Sequence, residues 1–341
     1  MLRLLAVGLG VSGRFWIRRA LPRVPEVELA GCVDLDPVSL ERVQEEAGVP
    51  ASQCFTSLSD ALATTGPEAV LVATTLPGHV PVARVALEGG RHVLLEKPFA
   101  PGLPAARELV DLAARCGLAL MVNQNYRYYP AARAAAALVR SRELGDLRAV
   151  EVDFRHGPTA PPGLGHRVME HPMLLDMAVH HFDLLRLLVG REPDEVSCHA
   201  WNPPGSGFAG PPAAVTTIRF GAGLLASHRG TWLGAGRDTA WAGEWRLLFE
   251  GGEAWWTGRA SMTSGDGDRL VVTRDGAEPE EVALPDLPAV DRAGVLREFV
   301  AAVRAGREPE CSGRDNLGTL WLSLAAIESA ARGGAPVTPA R

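Results

Sequence analysis

The chain has 341 residues, 47% of them hydrophobic and 22% charged, which suits a sizeable buried core and excludes a disordered polyelectrolyte. At this length, two domains sharing a cleft are the expected organisation. Lysine and arginine number 34 against 40 acidic residues, a net charge of -6, so bulk charge attracts neither nucleic acid nor an anionic membrane, and neither is expected as a partner.

Short apolar, β-rich runs at residues 2–7, 27–33, 68–73, 91–95 and 118–122 alternate with helical patterns at 12–21, 37–47, 79–88 and 103–116. Nearly continuous apolar strands separated by helices indicate a parallel sheet covered on both faces, an α/β Rossmann domain over residues 1–122. The pattern changes after Asn123. A helix at 130–139, a strand at 147–154 and a helix at 170–188 come first. Runs such as 215–220, 223–228 and 270–273, broken by glycine-rich turns, then read as a mostly antiparallel sheet. The stretches 202–212 and 159–163 read as loops, and helices at about 290–305 and 316–331 close the chain.

Residues 123–315 thus form an α+β domain with a large, open-faced sheet, and 316–341 a C-terminal helix and tail free to pack back on the first domain. So large a sheet with so few helices is expected to need a partner copy, making a homo-oligomer through the second-domain sheet. The cysteines, Cys32, Cys54, Cys116, Cys198 and Cys311, have no close pair and suit a reducing compartment. Gly8 interrupts the apolar start before a secretory signal could form, and no apolar stretch reaches the roughly 20 residues that cross a bilayer. The cytoplasm is the expected location.

Gly8-Leu9-Gly10-Val11-Ser12-Gly13 directly follows the first strand and opens the first helix. The first glycine permits the turn, the second lets backbone approach a diphosphate, and the third lets helix pack on strand. In a chain with 37 glycines the spacing is weak by itself; its place after a strand gives it weight. Asp34 ends the second strand, where a carboxylate accepts from ribose hydroxyls and repels a 2′-phosphate, so NAD is favoured over NADP. Asp36 is better read as the cap of the helix beginning at Pro37.

Thr74-Thr75-Leu76-Pro77-Gly78-His79 and Glu96-Lys97-Pro98-Phe99 leave two strands at their carboxyl ends, where such sheets place ligands. Lys97 there can hold a hydroxyl and stabilise negative charge on oxygen, or simply pair with Glu96 on the surface. Asp176, His180 and Asp183 lie within an arc of about 60° on an otherwise apolar helix, with His181 about 140° from Asp176. Histidine exchanges protons near neutrality and a neighbouring carboxylate can tune it. An internal hydrogen-bonding network is the alternative. A metal held with His166 and His171 is another, but no recognised ligand spacing is present and no metal is expected.

Together these segments resemble the glucose-fructose oxidoreductase and inositol dehydrogenase family, Gfo/Idh/MocA. The resemblance runs through the glycine loop, Asp34, residues 75–79, Glu96-Lys97-Pro98, Asn125-Tyr126-Arg127-Tyr128-Tyr129-Pro130, residues 176–183 and Ser312-Gly313-Arg314-Asp315-Asn316. It implies NAD-dependent oxidation of a secondary hydroxyl of a sugar, polyol or cyclitol, or reduction of the ketone. By that resemblance Lys97, Asp176 and His180 are catalytic: His180 as base, Asp176 orienting it, Lys97 holding the reacting oxygen. The cofactor contacts are then Gly8, Gly10, Val11, Ser12, Gly13, Asp34, Thr74, Thr75, Pro77, His79, Glu96 and Lys97, and the substrate contacts Tyr126, Arg127 and His181. The segment 166–173, Ala178 and His181 depart from the family pattern. Two alternatives are a lyase or glycosidase using transient oxidation with retained NAD, and a dinucleotide-binding sensor without catalysis.

Overall fold

The structure, a computed structural model, describes residues 1–221 and 223–339. It divides into two compact units, Met1–Asn125 with Asp291–Leu317, and Tyr126–Val290 with the chain from Gly318 onward. The closing helices therefore part company: Asp291–Ala305 (α8) belongs to the first unit, while Gly313–Ala331 (α9) begins in the first and continues in the second. Of the tail expected at 316–341, residues 340 and 341 lie outside the described residues.

In the first unit the strands are Leu2–Val7 (β1), Val27–Val33 (β2), Cys54–Phe55 (β3), Ala69–Val72 (β4), His92–Leu95 (β5) and Leu120–Val122 (β6). Among the described residues they form a six-stranded sheet in the order β3-β2-β1-β4-β5-β6, and each neighbouring pair is parallel. Leu4, Leu5, Val70, Leu71, Val93 and Leu94 are fully buried, as strands covered on both faces require. The helices are Val11–Phe15 (α1), Pro37–Ala47 (α2), Leu58–Thr65 (α3), Leu76–Glu88 (α4) and Leu103–Cys116 (α5).

Three local features depart from the sequence expectation. The first helix is a short α turn that opens into a wider π turn, Trp16–Ala20, around the buried Trp16. The fourth helix starts at Leu76 rather than His79, because Thr75 takes the cap position and Pro77 the first turn, where its missing N–H costs nothing. Strand β3 and helix α3, absent from the apolar pattern, form because Ser57 caps α3 by accepting from Asp60 N at 3.3 Å and Gly66 ends it in the left-handed region.

The second unit holds Pro130–Ser141 (α6), Leu147–Arg155 (β7), Ala178–Val189 (α7), Glu195–Trp201 (β8), Ala213–Phe220 (β9), Leu224–Thr231 (β10), Glu244–Phe249 (β11), Gly252–Thr257 (β12), Arg269–Arg274 (β13) and Glu280–Glu281 (β14). Among the described residues these strands make an eight-stranded sheet, β14-β13-β12-β11-β7-β10-β9-β8. It is antiparallel except where β7 and β10 run side by side. Alternate residues point inward and pack on α6, α7 and the second-unit part of α9, with Phe154, Phe182, Phe220, Trp245 and Leu322 in one core. The outward residues carry a ladder of ion pairs, Arg229–Asp153, Arg155–Glu244 and Arg219–Glu195, interrupted by Trp201 and Val215, which are 46% and 37% exposed. No helix among the described residues is long and apolar enough to cross a membrane.

Candidate active site

In the first unit the glycine loop has the shape its sequence demands. Gly8 adopts φ +90, and a Cβ there would lie 2.6 Å from Thr74 N at the end of β4. A Cβ on Gly13 would run into the Gly8 carbonyl. A Cβ on Gly10 meets nothing within 4 Å, so the backbone of this residue faces open space where a diphosphate can approach. Asp34 accepts from Leu9 N at 2.6 Å through one carboxylate oxygen and from Asp36 N at 2.9 Å through the other. The acidic residue that would read a ribose thus also holds the loop. Asp36 caps α2, accepting from Val38 N. These features fit a dinucleotide, with Val11 exposed at the start of α1.

The carboxyl ends of β4 and β5 are tied together by His79. Its Nδ1 lies 2.9 Å from Pro98 O and its Nε2 3.1 Å from Thr74 O. Burial lowers its imidazole below the usual histidine range even against these two carbonyls. The Thr74 hydroxyl donates to Thr75 O at 3.3 Å. Lys97 is half-buried just beyond β5, its backbone N–H on Glu96 Oε2 at 3.2 Å.

Glu96 itself is buried and receives Ser12 Oγ at 2.7 Å, Trp16 Nε1 at 2.8 Å and Arg292 Nε at 3.2 Å. The Ser12 hydroxyl is therefore turned to Glu96. Arg292, from the far α8, also lies over the Phe15 ring at 4.8 Å. No periodic signal marks such a residue 196 positions from its partner. Burial alone would raise the Glu96 carboxyl, but the Arg292 charge and the Ser12 and Trp16 donors outweigh it and hold it at about 2, below the ordinary 4.5. A carboxyl depressed in the folded state stabilises the fold above its unfolded value and loses that contribution as pH falls through its folded one. The window here is from about 4.5 down to about 2, and the loss is roughly 3 kcal/mol. Glu96→Gln is expected to flatten the fall of Tm in that window; a fall as steep as the parent's would show that other carboxylates carry it.

In the second unit Asp176 lies half-buried in a π turn, Pro172–Met177, that leads into α7. Such wide turns recur at functional sites. His180 is 5% exposed and its ring stacks on Tyr126, centroids 4.1 Å apart and planes 2° apart. His181 turns the other way. It is fully buried, with Nδ1 at 3.1 Å from His228 Nε2 and Nε2 at 3.3 Å from Trp241 O. A carbonyl only accepts, so His181 Nε2 carries the proton and His228 Nε2–H donates to His181 Nδ1. Burial drives His181 down to about 4 and His228 well below its ordinary range, so both rings are neutral.

Arg127 is also committed internally. Its Nε and Nη2 meet the two Asp183 oxygens at 2.6 and 2.7 Å, and Asp183 further accepts from Thr319 Oγ1 at 2.9 Å. Removing one member of such a buried pair costs about 3–5 kcal/mol, so this bridge ties the segment after Asn125 to α7. Of the three polar residues expected on one helix face, Asp183 thus belongs to this network. His166 stacks on Trp232 at 4.6 Å and His156 on Trp241 at 4.3 Å, an aromatic and histidine wall the sequence did not announce, because its members come from separate loops and strands.

Residues 2–124 match the model of an oxidoreductase family with an NAD-binding Rossmann fold, and residues 132–255 match the GFO/IDH/MocA C-terminal domain. Over 335 residues the chain is 28% identical to a 1,5-anhydro-D-fructose reductase of Ensifer adhaerens, covering 96% of each protein. It is 30% identical over 190 residues to an inositol 2-dehydrogenase of Corynebacterium glutamicum, 55% of this chain and 54% of that one. The WlbA dehydrogenase of Bordetella pertussis, solved in complex with NADH and UDP-GlcNAcA, shares the fold with a TM-score of 0.82 at 22% identity, over 100% of this chain and 99% of that one. The six-stranded parallel sheet with its glycine loop is an NAD-binding Rossmann domain. The chain belongs to the GFO/IDH/MocA family of oxidoreductases.

Proposed function

We propose that this protein oxidises a secondary hydroxyl of a sugar, polyol or cyclitol with NAD, or reduces the corresponding ketone. The observation that carries the proposal is His180, a histidine held flat against Tyr126 at 4.1 Å, in a chain that also has a built dinucleotide loop. His180 takes the hydroxyl proton, Asp176 orients the imidazole, and Lys97 holds the reacting oxygen and stabilises charge on it. Bound NAD supplies the hydride acceptor. The backbone of Gly8, Gly10, Val11, Ser12 and Gly13 would hold the diphosphate, Asp34 the adenosine ribose, and Thr74, Thr75, Pro77, His79 and Glu96 the nicotinamide side.

The Asp34 carboxylate supports NAD over NADP, because a 2′-phosphate would meet like charge. The stacking of Tyr126 on His180 supports a place for it beside the reacting group, whereas the commitments of Arg127 to Asp183 and of His181 to His228 support structural roles for those two. Free thiols at Cys32, Cys54, Cys116, Cys198 and Cys311 suit the cytoplasm. A screen for NADH appearance across cyclitols, aldoses, deoxy and amino sugars and sugar acids, with ketoses and NADH in reverse, tests the proposal. Turnover of at least one class is expected; no turnover in either direction by a protein that binds NAD would count against it.

The outer face of the eight-stranded sheet is the expected contact between copies of this chain. Trp201 and Val215, exposed amid paired charges, support that choice, since apolar groups at such positions gain from burial. Sedimentation should give more than the mass of one chain, and Trp201→Glu with Val215→Glu should bring it down. A wild-type monomer, or an unaffected oligomer in the double variant, would contradict this.

A further inference from the structure

Four residues from separate parts of the second unit form a chain of contacts that ends on the His180 ring, which touches Tyr126. Tyr126 precedes α6, His180 lies on α7, Arg259 follows β12, and Asp268 precedes β13. Arg259 is 6% exposed. Its Nη1 donates to Tyr126 Oη at 3.1 Å, and its Cζ lies over the Tyr126 ring 4.5 Å from the centroid and 5.9 Å from that of Trp241. The hydroxyl and the ring of Tyr126 are thus held by one guanidinium, and the same ring carries His180 at 4.1 Å.

Arg259 is itself held in an unusual way. Its φ is +61, a left-handed conformation that L side chains seldom adopt. Its backbone N–H donates to Asp268 Oδ1 at 2.8 Å, while Asp268 Oδ2 accepts from Ala131 N, in the first turn of α6, at 3.1 Å. One carboxylate therefore fixes both the backbone that aims the guanidinium and the helix that follows Tyr126. The terminal torsion of a histidine is broad, so the plane of the His180 ring is set by what it packs against rather than by the helix.

We propose that Arg259 is a positioning residue for His180, acting through Tyr126, with Asp268 holding Arg259 in place. The proposal rests on His180 being the catalytic base. Its consequence is a loss in rate rather than in binding, since displacing a reacting group by about 1 Å costs on the order of 100-fold.

Arg259→Gly is the informative variant. Glycine accepts a positive φ without strain and keeps the N–H on Asp268, so the backbone is preserved while the guanidinium is removed. Against a substrate found in the NADH screen, kcat is expected to fall roughly 10- to 100-fold with KM, NAD affinity and Tm little changed. Arg259→Lys, which keeps a cation at the ring, should recover part of kcat. Tyr126→Leu should lower kcat similarly, and the double variant Arg259→Gly with Tyr126→Leu should be no worse than either alone. A rise in KM with kcat intact would make Arg259 a substrate ligand instead and overturn the proposal. So would a fall in Tm with kcat intact, no recovery in Arg259→Lys, or losses that add in the double variant. His180→Ala is measured alongside. If it turns over normally, the base assignment fails and positioning fails with it. If it is inactive while Arg259→Gly is fully active, positioning alone is wrong.

Discussion

His180→Ala is expected to lower kcat by about 100- to 10,000-fold, the scale of lost acid–base catalysis, while NAD affinity stays within about twofold. The expectation follows from where the residue sits. His180 is held by stacking on Tyr126, and under the proposed function its removal deletes the proton acceptor while the residues of the glycine loop are all retained. His181→Ala is the natural contrast. That ring is fully buried between His228 and Trp241 O, so its loss should act mainly on stability by leaving His228 without its acceptor. Steady-state kinetics with fluorescence titration of NADH separates the two. Parallel loss of cofactor affinity and turnover in His180→Ala would make it a structural residue.

Asp34→Ala should weaken NAD by about 10- to 100-fold, corresponding to about 1.5–3 kcal/mol for hydrogen bonds to a charged acceptor, and should narrow or reverse the preference for NAD proposed above. Two effects combine. The carboxylate would no longer accept from the ribose or repel a 2′-phosphate, and Leu9 N would lose its 2.6 Å partner, loosening the glycine loop. Asp34→Asn separates them, because an amide oxygen can still accept from Leu9 N while the charge is gone. An unchanged NAD-to-NADP ratio in both variants would show that another residue reads the ribose.

The parallel sheet and the glycine loop were legible because their signals are local. Buried strands such as β4 are continuously apolar, and a turn that would collide with any Cβ at Gly8 or Gly13 admits only glycine. The helix bearing His180 was legible as a buried stripe with polar residues in it. What those polar residues touch was not. Asp183 shares a helix with His180 but answers to Arg127, 56 positions away, and Arg259 reaches Tyr126 across 133. Single charged residues in irregular segments carry no periodicity, so Arg259, Asp268 and Arg292 could emerge only from the folded chain. Helix α3 was missed for the opposite reason: it depends on Ser57 and Gly66 at its ends more than on an apolar stripe. The resemblance to a family implies catalytic roles for Lys97, Asp176 and His180, which spacing alone leaves open.

Direct transfer of the hydride tests the central claim most closely. A substrate found in the NADH screen is prepared with deuterium on the carbinol carbon, turned over with NAD, and the released cofactor analysed by mass spectrometry and NMR. Deuterium on C4 of the nicotinamide, one equivalent per ketone formed, is the predicted result. Product formed with the label absent from released cofactor, whether lost to water or returned to the product with NAD retained, would contradict net oxidation by this chain.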